Sequence, residues 1–159
     1  MPPYEILYIS ELSLATSLTS IAEILAQARK KNKLSGITGL LLFDGAHFIQ
    51  VLEGDHDDVV AVMSRIENDD RHVGVQRLHE SFVPQRQFQS FSVGYWYVED
   101  ESRALRLGKL RGRAAMAEIR ARRMEFDLES DPPLSTVPTP NPEASRMRFE
   151  SIALPLNAC

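Results

Sequence analysis

Two stretches of this sequence carry apolar side chains on both phases of a two-residue period, and that pattern leaves few folds open. From Tyr4 to Ser10, Tyr4, Ile6 and Tyr8 fall on one face of a strand, with Leu7 and Ile9 on the other. From His47 to Leu52, Phe48 and Leu52 alternate in the same way with Ile49 and Val51. A strand that faces water on one side shows one apolar phase, so two phases call for a layer on each side of the sheet. A chain of 159 residues has room for one such domain and an extension.

The remaining elements follow from period and punctuation. Ser20-Ile21-Ala22-Glu23 has the form of a capping box, and Ile21, Ile24, Leu25 and Ala28 then recur at helical spacing. Ile37–Phe43 and the 47–52 strand flank Asp44-Gly45-Ala46, which predicts a hairpin. Gly54-Asp55 opens a second helix with Val59, Val62, Met63 and Ile66 as its apolar stripe. Val73–Val83 and Phe91–Val98 supply two more strands, parted by Pro84. The order βαββαββ predicts an α+β ferredoxin-like sandwich, with both helices on one face of a mostly antiparallel sheet.

Charge and proline mark the boundaries. Residues 1–98 form the expected domain, with 8 basic and 12 acidic side chains. Residues 99–128 are expected to form a basic amphipathic helix over 101–125 that covers the second sheet face. Gly108 and Gly112 within it leave room for close approach, a bend or a second chain. Residues 129–159 hold five prolines between Pro132 and Pro142 and are expected to be a largely irregular tail. The net charge of −4 and the absence of a DNA-binding motif disfavour nucleic acid, so the arginines of 101–125 are expected to form a solvated face. No apolar run is long enough to span a bilayer, and Met-Pro-Pro-Tyr-Glu lacks the regions of a signal peptide. With Cys159 as its single cysteine, the chain is expected to be cytoplasmic and to hold no metal. A half-covered sheet also makes a homo-oligomer the expected assembly.

Several polar groups fall where a core is expected. Asn32 continues the line Ile21–Ile24/Leu25–Ala28 near a helix end, where it serves either as a cap or as an amide turned towards the sheet. Gln50 lies between Phe48 and Leu52 on one strand face, and a buried amide without partners costs about 1–3 kcal/mol. Tyr8 has the matching face and can satisfy it. Arg65, Asp69 and His72, spaced i, i+4, i+7, are expected on the second helix, either as surface pairing or as the lining of a groove. Lys30, Lys31 and Lys33 would place positive charge at its mouth. Together they describe a slot between two helices, suited to a flat heterocycle bearing a phosphate.

Leu7-Tyr8-Ile9-Ser10, Asn32, Gly36-Ile37-Thr38-Gly39-Leu40-Leu41, Phe48-Ile49-Gln50-Val51-Leu52-Glu53-Gly54 and Asp69-Asp70-Arg71-His72, in this order, resemble the BLUF family of flavin-using blue-light sensors. The resemblance covers about residues 3–98, and the layout is similar to that of short BLUF proteins without an appended enzyme domain. It implies FAD, FMN or riboflavin between the two helices and an unidentified downstream protein partner. It implies that Tyr8 is the electron and proton donor to the photoexcited flavin and that Gln50 bridges Tyr8 to the flavin. It also implies that Asn32, Arg65 and Asp69 hold the ring, with Lys31, Arg71 and His72 towards the ribityl–phosphate side.

The family usually has Trp and Met where this chain has Phe91 and Val93, which puts the signal's exit route in question; Trp96 has the opposite strand parity. The chain is expected to be a switch and not an enzyme. A flavoenzyme would need an acid/base group beside the flavin, and none stands out. A ferredoxin-like binding module that has lost its photochemistry is the other alternative.

Overall fold

The structure, a computed structural model, describes residues 1–17, 19–96, 102–122 and 127–130. In chain order the elements are β1 (Tyr4–Leu12), α1 (Thr19–Leu34), β2 (Thr38–Phe43), β3 (His47–Gly54), α2 (His56–Glu67), β4 (His72–Phe82), β5 (Phe91–Tyr95), α3 (Ser102–Lys109), α4 (Gly112–Ala121) and β6 (Asp127–Ser130). The strands form one sheet in the order β4-β1-β3-β2-β5-β6. All neighbours are antiparallel except β2 and β5, which run parallel. The first four strands with α1 and α2 make the ferredoxin-like core, and β5 extends it.

The two apolar phases of β1 and β3 separate onto two cores. Ile6, Tyr8, Phe48 and Leu52 pack with Ile21, Ile24, Leu25, Val59, Val62 and Met63 of α1 and α2. Leu7, Ile9, Ile49 and Val51 pack with Leu107, Ala115, Met116 and Ile119 of α3 and α4 on the opposite face. Each central strand is therefore buried on both sides. The chain's own helices close the face that the sequence left half covered, so self-association no longer follows from an open sheet.

Three local expectations are corrected. Helix α1 begins at Thr19, so Ser20 lies in its first turn and is not its cap. Ser17 Oγ instead meets Thr19 Oγ1 at 2.9 Å and Ser20 Oγ at 2.8 Å. The single helix expected over 101–125 is two, because Gly112 takes a left-handed φ of +58° and the chain turns between α3 and α4. Residues 127–130, at the junction of the expected helix and tail, form β6 and pair with β5. Residues 131–159, the rest of that tail, lie outside the described residues. Among the described residues no helix is long and apolar enough to cross a membrane.

Candidate functional site

The edge of the α1/α2 layer opens into a cleft of about 590 Å³, counting its mouth, between the two helices and the sheet. Its floor is Tyr8 of β1, Leu41 of β2 and Gln50 of β3; Ile24, Ala28 and Asn32 of α1 form one wall, and Val62, Arg65 and Ile66 of α2 the other. Asp69, Arg71 and His72 close one end, and Gln27 and Lys31 stand at the mouth. Tyr8, Lys31, Asn32, Gln50, Arg65, Asp69, Arg71 and His72 all line this one cleft, whereas Lys30 and Lys33, expected with Lys31 at its mouth, do not. Gln27 was missed, because an exposed glutamine one turn before Lys31 carries no pattern of its own.

The floor is set by strand register. Tyr8 and Gln50 are directly opposite on β1 and β3, so their side chains leave the same face side by side. The Tyr8 hydroxyl donates to Gln50 Oε1, and both residues are buried. Burial pushes the Tyr8 phenol up, and the negative charge of Asp69 pushes it further.

Asn32 stands in the last turn of α1 with 2% of its surface exposed, and its Nδ2 has no hydrogen-bond partner among the described residues. A buried amide donor facing a cleft fits a ligand that brings a carbonyl acceptor. The capping alternative is not what the side chain does, since Ile37 N–H bonds to the Asn32 backbone carbonyl and the side-chain amide is left over.

Asp69 and His72 are not on the second helix as expected. Helix α2 ends at Glu67, and Asn68 closes it through its own backbone N–H and through Nδ2, 2.7 Å from the Ser64 carbonyl. Asp69 then builds a turn. Its Oδ1 accepts from Arg71 N–H at 3.0 Å and from Nε at 2.9 Å, and its Oδ2 accepts from Nη2 at 2.6 Å. These Arg71 bonds pull the Asp69 carboxyl down to about 2, so it is a carboxylate at neutral pH. Arg71 is thereby committed to Asp69. Lys31 and Arg65 are the exposed cations at the mouth, and neither makes an ion pair among the described residues.

His72 opens β4 and turns inward. Its Nδ1 lies 2.8 Å from Ser10 Oγ, and its ring packs on Phe48 at 4.7 Å between centroids. Burial pushes the imidazole down, with Asp69 opposing and Arg71 adding to the shift. Phe91 and Val93 are buried in the core on the cleft side, while Trp96 is buried on the opposite face, as strand parity requires.

The profile of the BLUF family, described as sensors of blue light using FAD, matches residues 4–94. Over 83 residues the chain is 34% identical to the blue light- and temperature-regulated antirepressor BluF of Escherichia coli, covering 52% of this chain and 21% of that protein. It is 35% identical over 83 residues to the photoactivated adenylate cyclase subunit beta of Euglena gracilis, covering 52% of this chain and 10% of that one. The chain thus matches about a fifth or less of the length of these curated relatives. The dark-state structure of BlrB, a BLUF protein, superposes with a TM-score of 0.62 at 28% identity, covering 76% of this chain and 93% of that one. The photo-activated state of BlsA gives 0.63 at 23% identity, covering 87% and 99%, a likeness of fold. A profile that spans β1 to β5, on a sheet that sets a tyrosine and a glutamine side by side beneath an unpartnered asparagine amide, places this chain in the BLUF family.

Proposed function

We propose that this protein is a blue-light photoreceptor that holds a flavin in the cleft between α1 and α2 and signals to a partner protein. The observation that carries the reading is the buried Tyr8–Gln50 hydrogen bond, which opens on the same cleft as the unpartnered Asn32 amide. The cleft fits the group: apolar walls for a flat ring, amides on its floor and wall, and the free cation Lys31 at its mouth for a phosphate. Asn32, Gln50, Arg65 and Asp69 would hold the ring. Bound flavin supplies a blue-absorbing chromophore that, once excited, draws one electron from a nearby donor.

The chain's own residues account for the rest. Burial disfavours the tyrosinate, so Tyr8 gives up its proton only together with an electron, and the acceptor already aligned with that proton is Gln50 Oε1. With Oε1 turned to Tyr8, Nε2 is the end of the Gln50 amide left for the ligand. Rotating or tautomerising the amide exchanges donor for acceptor at that edge, which changes the ligand's absorption. Tyr8 recovers its electron and proton afterwards, so the cycle consumes no substrate.

Relatives that are an antirepressor and a photoactivated cyclase support an output that reaches another protein or domain. The test is the visible spectrum of the purified protein before, during and after blue light. A flavin spectrum that moves to the red and recovers in the dark is the expected result. Bleaching without a reversible shift would point to redox catalysis, and a colourless protein to a binding module.

A further inference from the structure

Ser10 lies two residues beyond Tyr8 on the same face of β1, opposite Phe48, and is fully buried. On its other side the ladder with β4 is irregular. Ile9 pairs with Gln76 and Glu11 with Val73, so Ser10 alone faces the two residues Gly74 and Val75 at a β-bulge. Gly74 takes a left-handed φ of +61° at this bulge. Bulges bend a strand and re-aim the side chains beside them. Here the bend carries His72 over the end of the cleft, where Ser10 Oγ meets Nδ1 at 2.8 Å. So held, the imidazole packs on Phe48 and meets the Tyr8 ring edge-on at 6.4 Å between centroids.

We propose that His72, held by Ser10 across the β1/β4 bulge, is a positioning residue for Tyr8. Two faces of the Tyr8 environment are otherwise fixed by strand register: Gln50 is opposite it on β3, and Ile6 and Ser10 flank it on β1. On the β4 side the register shifts between Leu7 and Tyr8, Arg77 is the strand partner of Tyr8, and the His72 ring stands edge-on to the phenol from further along β4. A neighbour that moves lets the phenol ring swing, and the hydroxyl then loses its line to Gln50 Oε1. Transfer of a proton along a hydrogen bond is steeply sensitive to such alignment. His72 reaches Ser10 with Nδ1 while its ring also lines the cleft, so the Ser10 anchor and the ring beside Tyr8 belong to one side chain.

The importance for signalling rests on the photoreceptor reading, but the positioning itself is testable in the dark. The Tyr8 hydroxyl proton, buried and hydrogen-bonded, is followed by proton NMR in the wild type, Ser10→Ala, His72→Phe and His72→Asn, each as the full chain with its copurified flavin. The yield of the red-shifted state under blue light is recorded on the same samples. Ser10→Ala and His72→Phe are expected to keep flavin, to broaden or move the Tyr8 hydroxyl resonance, and to lower the yield at least about threefold. His72→Asn, which keeps a polar atom near the Nδ1 position, is expected to recover part of both. A double Ser10→Ala, His72→Phe chain is expected to be no worse than the worse single one, as for two residues that act as a unit. Wild-type resonance and yield in both single variants would overturn the proposal. So would loss of flavin in His72→Phe beside an unchanged Ser10→Ala, because that places His72 on the ligand. A wild type without a reversible shift removes the photoswitch reading, while the dark resonance still decides the positioning.

Discussion

Glu5 and Glu53 stand directly opposite each other near the start of β1 and the end of β3, so two buried acidic side chains share the face of the sheet away from the cleft. Glu53 holds the connection from β4 to β5. Its Oε1 accepts from Gln87 N–H at 2.7 Å, and its Oε2 accepts from Phe88 N–H at 3.0 Å and from Thr38 Oγ1 at 3.1 Å. That grip seats the Phe88 ring in the second core. Burial pushes the Glu53 carboxyl up, while the two backbone N–H groups and Thr38 hold it down. Glu53→Gln keeps the shape but turns an NH₂ towards an N–H, so it is expected to cost about 1–3 kcal/mol in urea unfolding. The raised carboxyl contributes stability at low pH that is lost as pH rises through its folded value, so the gap between wild type and variant narrows across that titration. A gap that widens with pH would contradict this account.

Glu5 ties down different elements. Its Oε1 lies 3.0 Å from His79 Nε2 on β4, and its Oε2 accepts from Arg120 Nη2 at 3.2 Å, which reaches in from α4. Removing the Glu5 carboxylate leaves His79 and Arg120 without their shared acceptor. Arg120 is half exposed and can turn to water, so the damage should fall on α4 before the sheet. Glu5→Ala is expected to raise amide exchange at Ala115, Met116 and Ile119 while β1 and β3 stay protected. Equal loss of protection in α4 and the central strands would show that Glu5 supports the whole fold.

How much of this was legible in the sequence divides along physical lines. The two-phase alternation of β1 and β3 is a local signal, and it gave the strand faces and the need for layers on both sides. Asn32 and Gln50 stood out because amides interrupt apolar lines, and the cleft is where they meet. The i, i+4, i+7 reading of Arg65, Asp69 and His72 failed because α2 stops at Glu67, yet the three still share the cleft because the Asp69–Arg71 turn folds back. The start of α1 was misread because a capping-box pattern is equally compatible with a serine inside the first turn. Strand β6 was hidden because Asp127-Leu128-Glu129-Ser130 has no strand composition and joins the sheet through backbone pairing with β5. Neither Glu5 nor Glu53 announced its burial, since their partners lie 15 to 115 residues away in sequence.

Gly39 has a backbone reason that the motif alone does not disclose. It takes a φ of +145°, and a Cβ there would lie 2.0 Å from the Val51 carbonyl oxygen on β3. Strained backbone costs about 1–3 kcal/mol by itself, and a clash with an immovable strand adds to it. Gly39→Ala is therefore expected to destabilise by more than that range and to disturb the β2/β3 pairing that carries Leu41 and Gln50 to the cleft floor. A melting temperature within a degree or so of the wild type would show that the strands slide apart at little cost.

Asp69 sets an acid limb. Arg71 lowers its folded-state carboxyl to about 2, below the ordinary aspartate value of about 3.9. A depressed carboxyl contributes stability that is complete above its unfolded value and lost as pH falls through its folded one. Between about pH 4 and pH 2 the Asp69–Arg71 turn should loosen, and Asp69→Asn should flatten that part of the stability profile. The same slope in the variant would place the acid sensitivity in other carboxylates.

The most direct test of the site is Tyr8→Phe. Phenylalanine fills the same buried space under α1 and α2, so the core and the flavin should be retained. What disappears is the hydroxyl that donates to Gln50 Oε1, and with it both the proposed electron donor and the aligned proton. Gln50 is left with an unpaired buried acceptor, a loss of about 1–3 kcal/mol in the dark protein. The expected outcome is a coloured, slightly less stable protein whose spectrum no longer shifts reversibly in blue light. If the shift persists with its usual size and recovery, another donor serves the cleft and the Tyr8–Gln50 bond is only a structural pair.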